Sequence, residues 1–380
     1  MLNHRYPLTW PVADVCAGVL STAALGQASA RPATRQKRSR TADGPRHAVA
    51  ASRIWPWACI ALLSARASFA SVGFQQLAVP DGERSPLSVA VWYPSADASS
   101  AQPLGMFTQT VALNGVVSGR RWPLVVISHG NGGSSSSHYD TALTLAAAGF
   151  IVAALTHTGD NSADQRYAGN RTDLIDRPRQ VTRLVDYMVA EWAGRDHVDG
   201  SRIGIFGFSL GGFTAIVAIG GTPDLRRMAL LCSAKPDAPE CVFIRQRHGD
   251  QLDPISVDPV WIHDPRIKAA VIAAPAVGFL FGPGSLRDVG VPIQLWRAEN
   301  DRMAPDAWNA SIVRQELSQP VENRVVKGAD HFVFLAPCSE TLARLAPQVC
   351  RDAPGIDRVA FHTEFNRAVA EFFRRCLRTR

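Results

Sequence analysis

The stretch Arg202-Ile203-Gly204-Ile205-Phe206-Gly207-Phe208-Ser209-Leu210-Gly211-Gly212 decides the fold. Ile203, Ile205, Phe206 and Phe208 make it mostly apolar, as a buried strand is, and the small-residue apolar run from Phe213 to Ile219 can form a helix. Strand, Gly-x-Ser-x-Gly and helix together read as a nucleophile elbow. A serine on so sharp a turn takes strained backbone geometry. The residues two before and two after it must therefore lack side chains, so that strand and helix can pass closely. The turn lifts Ser209 Oγ above the sheet edge and aims the N–H of Leu210, at the start of the helix, toward the same space. An ordinary Gly/Ser turn between core elements leaves the polar residue at the tip unexplained.

Working outward, Pro123-Leu-Val-Val-Ile-Ser128 is a continuously apolar strand of the doubly covered, parallel kind. It runs into His129-Gly130-Asn131-Gly132-Gly133-Ser134, a glycine-rich loop that can bring bare backbone N–H groups to a ligand. Lacking the lysine of a phosphate-binding loop, it reads as an oxyanion loop. Phe74–Val79 and Leu87–Tyr93 form a hairpin, followed by a polar connection from Ser95 to Gln102. Gly149–Leu155, Lys268–Ala274, Val291–Trp296 and Arg324–Val326 are further strands. Helices fit at 142–148, at 175–192 with apolar residues at 181, 184, 185, 188 and 192, at about 306–318 and at 356–377. Strands alternating with helices imply an α/β fold with a mostly parallel sheet. The interval 221–265, rich in Pro, Asp and Arg, breaks the alternation and reads as an inserted lid.

A serine needs a base to take its proton, and the base needs an orienting carboxylate. With the chain order serine, acid, histidine at strand ends, Asp301 and His331 are the partners of Ser209. Asp301 follows the strand ending at Trp296 and could instead cap the helix near Pro305; Glu299 is the nearest rival acid. Asp330 reads as a loop residue. The oxyanion donors are the N–H of Leu210 and that of Asn131, with Gly130 as the alternative to the latter. His129 takes a structural hydrogen-bonding role, and His157 and Asp160 lie on a nearby strand-end loop that can shape the site. His138, His197, His248, His263 and His362 read as surface or satisfied histidines. None has metal-ligand spacing such as H-E-x-x-H, so no metal and no cofactor is expected.

Of the chain's 40 Lys/Arg and 33 Asp/Glu, residues 1–70 hold nine and two, leaving 31 of each beyond them. The body is thus near neutral, and the formal charge of +7 is no argument for nucleic-acid binding. Arg53, the apolar run Ile54–Leu63 and the small residues Ala65, Ala67, Ser68 and Ala70 make a secretory signal, with cleavage after Ala70 or Ala67. The run is short for a membrane span, though an uncleaved anchoring N-terminus is the other reading. A weaker signal-like run at 15–30 and a basic stretch at 31–46 precede it, and a true start downstream of Met1 would account for both. The expected organisation is a leader over 1–70 and one domain over 71–380, in an exported protein. Cys232/Cys241 and Cys338/Cys350 are two local pairs that read as disulfides in such a protein, with Cys376 left over.

These residues resemble the α/β-hydrolases, and within them bacterial proteins labelled predicted dienelactone hydrolases, a group related to the platelet-activating-factor acetylhydrolases. The similar stretches are Val91–Pro94, Val126–Gly133, Val152–Asn161, Gly207–Gly212 and Ala329–Phe332, spread over residues 74 to 376. The resemblance implies an α/β-hydrolase fold and a serine ester hydrolase with Ser209, Asp301 and His331 as its triad. Dienelactone hydrolases use a cysteine where this chain has Ser209, so that label is a poor guide to substrate. The acetylhydrolases place their acid after the strand following the elbow, where this chain has Ala273-Ala-Pro-Ala-Val277 without a carboxylate. The expected partner is a small-molecule ester, with no nucleic acid and no stable membrane insertion after processing. A lipase or acetylhydrolase acting on lipid esters, and a non-catalytic binding protein of the same fold, are the alternatives.

Overall fold

Side chains alternate across the two faces of the central strands, and both faces are apolar. In β5 (Trp122–Ser128), Leu124 and Val126 join one core while Val125 and Ile127 join the other. A strand buried on both sides must be covered by helices on both sides, which dictates a layered α/β architecture. The computed structural model describes residues 71–249 and 259–378. The leader expected over 1–70, with the cleavage expected near Ala70, and residues 250–258 of the interval 221–265 lie outside the described residues.

The described residues open with a hairpin, β1 (Ser71–Asp81) and β2 (Arg84–Ser95). A second antiparallel pair follows, β3 (Ser100–Leu104) and β4 (Phe107–Leu113). The polar connection expected from Ser95 to Gln102 is therefore partly an edge strand. Its composition hid it, since a strand at the sheet's edge buries little, whereas Phe107, Gln109 and Val111 do alternate inward along β4. Then come β5, α1 (Tyr139–Ala147), β6 (Ile151–Thr156), α2 (Arg171–Ala190), β7 (Val198–Phe208) and α3 (Leu210–Ala218). The insertion carries α4 (Arg226–Ala234) and α5 (Pro239–His248), joined by the Cys232–Cys241 disulfide. The chain then continues through β8 (Ile267–Ala273), β9 (Ile293–Ala298), α6 (Ala310–Glu316) and β10 (Glu322–Val326). It ends with α7 (Glu340–Leu345), α8 (Pro347–Cys350) and α9 (Arg358–Cys376). A second disulfide, Cys338–Cys350, straddles α7 and α8, and Cys376 is itself disulfide-bonded rather than left over. The helix expected over 306–318 is broken at Asn309 into a single 3-10 turn and α6.

The sheet order is β10-β9-β8-β7-β5-β6-β2-β1-β4-β3. Strands β5 to β10 pair in parallel; β2 runs antiparallel to β6 and to β1. One face is covered by Val181, Leu184, Val185 and Met188 of α2, by α3 and by Val313 of α6. The other is covered by Ala142 and Leu145 of α1 and by Phe365, Val369, Phe372 and Phe373 of α9. Gly204 shows how close that second layer comes: a Cβ there would sit 2.6 Å from the Phe373 ring. Among the described residues no helix is long and apolar enough to cross a membrane.

Candidate active site

Strand β7 ends at the centre of the sheet, and the turn into α3 presents Ser209. Its backbone stands at φ 54°, ψ −118°, a conformation L-residues avoid. Backbone hydrogen bonds hold it there: Ser209 N–H donates to the Ala273 carbonyl at 2.9 Å, and its own carbonyl accepts from Ala276 N–H at 3.0 Å and from Gly212 N–H at 2.8 Å. The flanking glycines are obligatory. A Cβ on Gly207 would lie 2.1 Å from the Gly211 carbonyl oxygen, and one on Gly211 would lie 2.0 Å from that of Ser128.

The structure brings Ser209, His331 and Asp301 together. His331 Nε2 stands 2.9 Å from Ser209 Oγ, and His331 Nδ1 stands 2.7 Å from Asp301 Oδ2. The carboxylate can only accept, so Nδ1 carries the proton and the Nε2 lone pair faces the serine hydroxyl. The side chains of His331 and Asp301 are 5 % and 3 % exposed, which strengthens their interaction by keeping water out. The other oxygen of Asp301 accepts from Met303 N–H at 2.9 Å and Ala304 N–H at 2.7 Å. Asp301 thus pins its own loop while it faces the histidine; it caps neither the 3-10 turn that follows Pro305 nor α6, so the helix-cap role weighed for it is not realised. Glu299 lies elsewhere, bound to Lys327 and to the Gly328 N–H. The Phe208 ring packs against His331 with centroids 4.9 Å apart and limits its rotation.

Neither the Leu210 nor the Asn131 N–H has an acceptor among the described residues. The loop holding Asn131 lies against the serine, since a Cβ on Gly130 would be 3.1 Å from Ser209 Cβ. The Asn131 side chain is engaged below, its Nδ2 donating to Asp160 Oδ1 at 2.7 Å, and the Gly132 N–H donates to the same oxygen at 2.8 Å.

Under this loop lies a buried polar cluster that is only partly legible in the sequence. His129 Nε2 accepts from His157 N–H at 3.0 Å, leaving Nδ1–H to donate to the Gly130 carbonyl at 2.6 Å. His157 bridges Ser128 Oγ at 2.8 Å and Gln180 Oε1 at 2.7 Å. Arg177, 1 % exposed, stands 3.3 Å from Asp160 and 3.2 Å from Asp173. Burial first, and then the Arg177 charge, push His129 down to about 3 and His157 well below its usual range. Burial pushes the Asp173 carboxyl well up; Arg177 opposes that rise and Asp160 adds to it. A signal for the cluster was available: Asp173, Arg177 and Gln180 occupy the same helical stripe as the buried Leu184. Polar residues on the core face of an amphipathic helix are unusual, and they mark a built network.

His138 departs from its expected surface or satisfied role. It is buried edge-on to Phe206 and Phe208, with neither ring nitrogen in a side-chain hydrogen bond. Burial lowers it to about 4. With folded values depressed from 6.5, the stability held by His129, His138 and His157 is complete above about pH 6.5. It is lost as pH falls toward the folded values, because the unfolded chain binds the protons first. Each group steepens the decline by up to about 1.4 kcal/mol per pH unit. Urea midpoints measured from pH 7 to 4 should fall, and His138→Leu should flatten the slope by one proton. An unaltered slope in that variant would refute the assignment of His138.

Among the described residues no group of three or more His, Cys, Asp or Glu side chains is set to hold a metal ion. A groove of about 250 Å³, lined by Arg302, Met303, Phe332 and Arg351 among others, opens beside His331 and connects it to solvent.

A sequence model described as the Alpha/beta hydrolase family matches residues 124–344, more than half of the chain. No curated protein matches. Among solved structures, a ferulic acid esterase from Streptomyces cinnamoneus superposes with a TM-score of 0.54 at 18% identity, covering 83% of this chain and 93% of that one. At that identity the likeness is one of fold.

Proposed function

The chain belongs to the α/β-hydrolase family, and from that premise we propose that it is a serine hydrolase of carboxylic esters. The observation that carries the reading is the line Ser209 Oγ, His331 Nε2, His331 Nδ1 and Asp301 Oδ2, with successive contacts of 2.9 and 2.7 Å. In this mechanism His331 takes the Ser209 proton as Oγ attacks the ester carbonyl. The tetrahedral oxyanion forms against the N–H groups of Leu210 and Asn131, each such donor contributing roughly 3–4 kcal/mol to the transition state. His331 then returns the proton to the leaving alcohol, and water activated by the same imidazole releases the acyl group. No step requires a cofactor.

The finer kinship with the dienelactone hydrolase-like and acetylhydrolase group rests on motifs such as Val126–Gly133 and Val152–Asn161, and belongs to this proposal. So does the lid. The inserted α5 reaches the loop after Asp301, where buried Glu240 accepts from Asn309 Nδ2 at 2.9 Å and from Trp308 Nε1 at 3.2 Å. Two disulfides among the described residues, Cys232–Cys241 and Cys338–Cys350, support export to an oxidising compartment, with the leader ending near Ala70.

The test is covalent. A fluorophosphonate probe should modify one residue, and peptide mass mapping should place the adduct on Ser209, with 4-nitrophenyl acetate turnover abolished in step. A folded protein that neither labels nor turns over would favour the non-catalytic binding reading. Turnover of a graded series of acyl esters separates a short-chain esterase from a lipase.

A further inference from the structure

The oxyanion loop has no regular structure of its own, so its peptide planes are set by what binds its carbonyls. Arg177 Nη1 and Nη2 donate to the His129 carbonyl at 2.9 and 3.0 Å. The next carbonyl, that of Gly130, accepts from His129 Nδ1–H at 2.6 Å and Gly133 N–H at 3.1 Å, with Arg177 Nη2 at 3.4 Å. In a trans peptide the C=O and the following N–H point to opposite sides. Tying both carbonyls therefore turns the N–H groups of Gly130 and Asn131 to the opposite side of the loop; neither has an acceptor among the described residues, and Gly130 itself lies against Ser209.

We infer that Arg177, held by Asp160, is a positioning residue for the oxyanion donors. It sets the His129 and Gly130 peptide planes so that the Asn131 N–H meets the developing oxyanion. The inference rests on the serine hydrolase reading. Only a guanidinium suits the task, because its fork places two N–H donors on one carbonyl while its remaining edge meets a carboxylate. Asp160 completes the clamp from the other side. Its Oδ1 holds the Gly132 N–H and the Asn131 side chain, while its Oδ2 stands 3.3 Å from Arg177. Three stretches of chain, the loops that follow β5 and β6 and the first half of α2, are thereby locked to one cation. Its buried charge is tolerated because these partners replace water.

Removing the cation alone would strand the Asp160 charge, so two variants share the test. Arg177→Lys keeps a cation but loses the fork. Arg177→Met combined with Asp160→Asn removes both charges and leaves an acceptor for Gly132. Sites are first counted by fluorophosphonate titration to completion, and kcat and KM for 4-nitrophenyl acetate are then expressed per labelled site. The expected kcat per site falls at least about tenfold in Arg177→Lys and about a hundredfold in the double variant, with KM within about threefold of wild type. A role in folding alone would lower the labelled fraction or the melting temperature and leave kcat per site unchanged; that result in both variants overturns the inference. A wild-type chain that does not label at Ser209 overturns the hydrolase reading itself, and the inference with it.

Discussion

Asp301→Asn is expected to cost about 10⁴-fold in kcat while leaving the fold in place. The reason lies in the second face of that carboxylate. Its Oδ1 accepts from the N–H groups of Met303 and Ala304, so an asparagine must put its carbonyl oxygen there and its NH₂ toward His331. Facing a donor, Nδ1 must become the acceptor. The ring proton then moves to Nε2, where it points at Ser209 and cannot be exchanged for the serine's own proton. Ser209→Ala goes further, removing the proposed nucleophile and about 10⁶-fold in kcat. Steady-state ester turnover measures both, with circular dichroism to show that each variant is folded. An Asp301→Asn variant retaining more than about a tenth of wild-type kcat would mean that another group orients the histidine.

The second large effect is on stability. Gly211→Ala should destabilise the domain by at least about 4 kcal/mol, or prevent its folding, because the added methyl would fall 2.0 Å from the Ser128 carbonyl oxygen and 2.7 Å from that of His129. Both are backbone atoms, and relief requires α3 to move off β5. That movement would also separate Ser209 from the Gly130–Asn131 loop that lies against it. Gly290→Ala is the matched control, since nothing lies within 4 Å of a Cβ there, and its effect should stay within about 0.5 kcal/mol. Chemical denaturation of the two variants beside wild type decides it. Comparable midpoints would show that the elbow tolerates a side chain and that its glycines have another reason.

Much of this molecule was legible in one dimension because its signals are local. A mostly apolar strand, a glycine-serine turn and an apolar run compel a buried parallel strand turning into a helix, and β7, Ser209 and α3 follow from them. The candidate histidine and acid were found the same way, as polar residues at the carboxyl ends of apolar strands, on loops where a sheet exposes side chains. Other features carried no local mark. The edge strand β3 is polar and half exposed, so its pairing with β4 comes from the partner and not from its own pattern. Asn309 breaks the helix after Asp301 because its side chain is committed to the Gly278 N–H and to Glu240, residues 31 and 69 positions away.

The sequence by itself determined the layered α/β fold, the place of the turn and the identities of the residues at its tip. Periodicity and steric exclusion act between neighbours in the chain, and both are written in residue order. Only the tertiary structure decided that Asp301 reaches His331 while Glu299 turns to Lys327, and that Arg177 donates to the His129 carbonyl of the loop after β5. Glu299 and Lys327 meet at the exposed ends of neighbouring strands, whereas the other two choices depend on which buried polar groups the fold brings together. A buried ion is stable only where its partners replace water, and such partners come from chain segments that folding alone brings together.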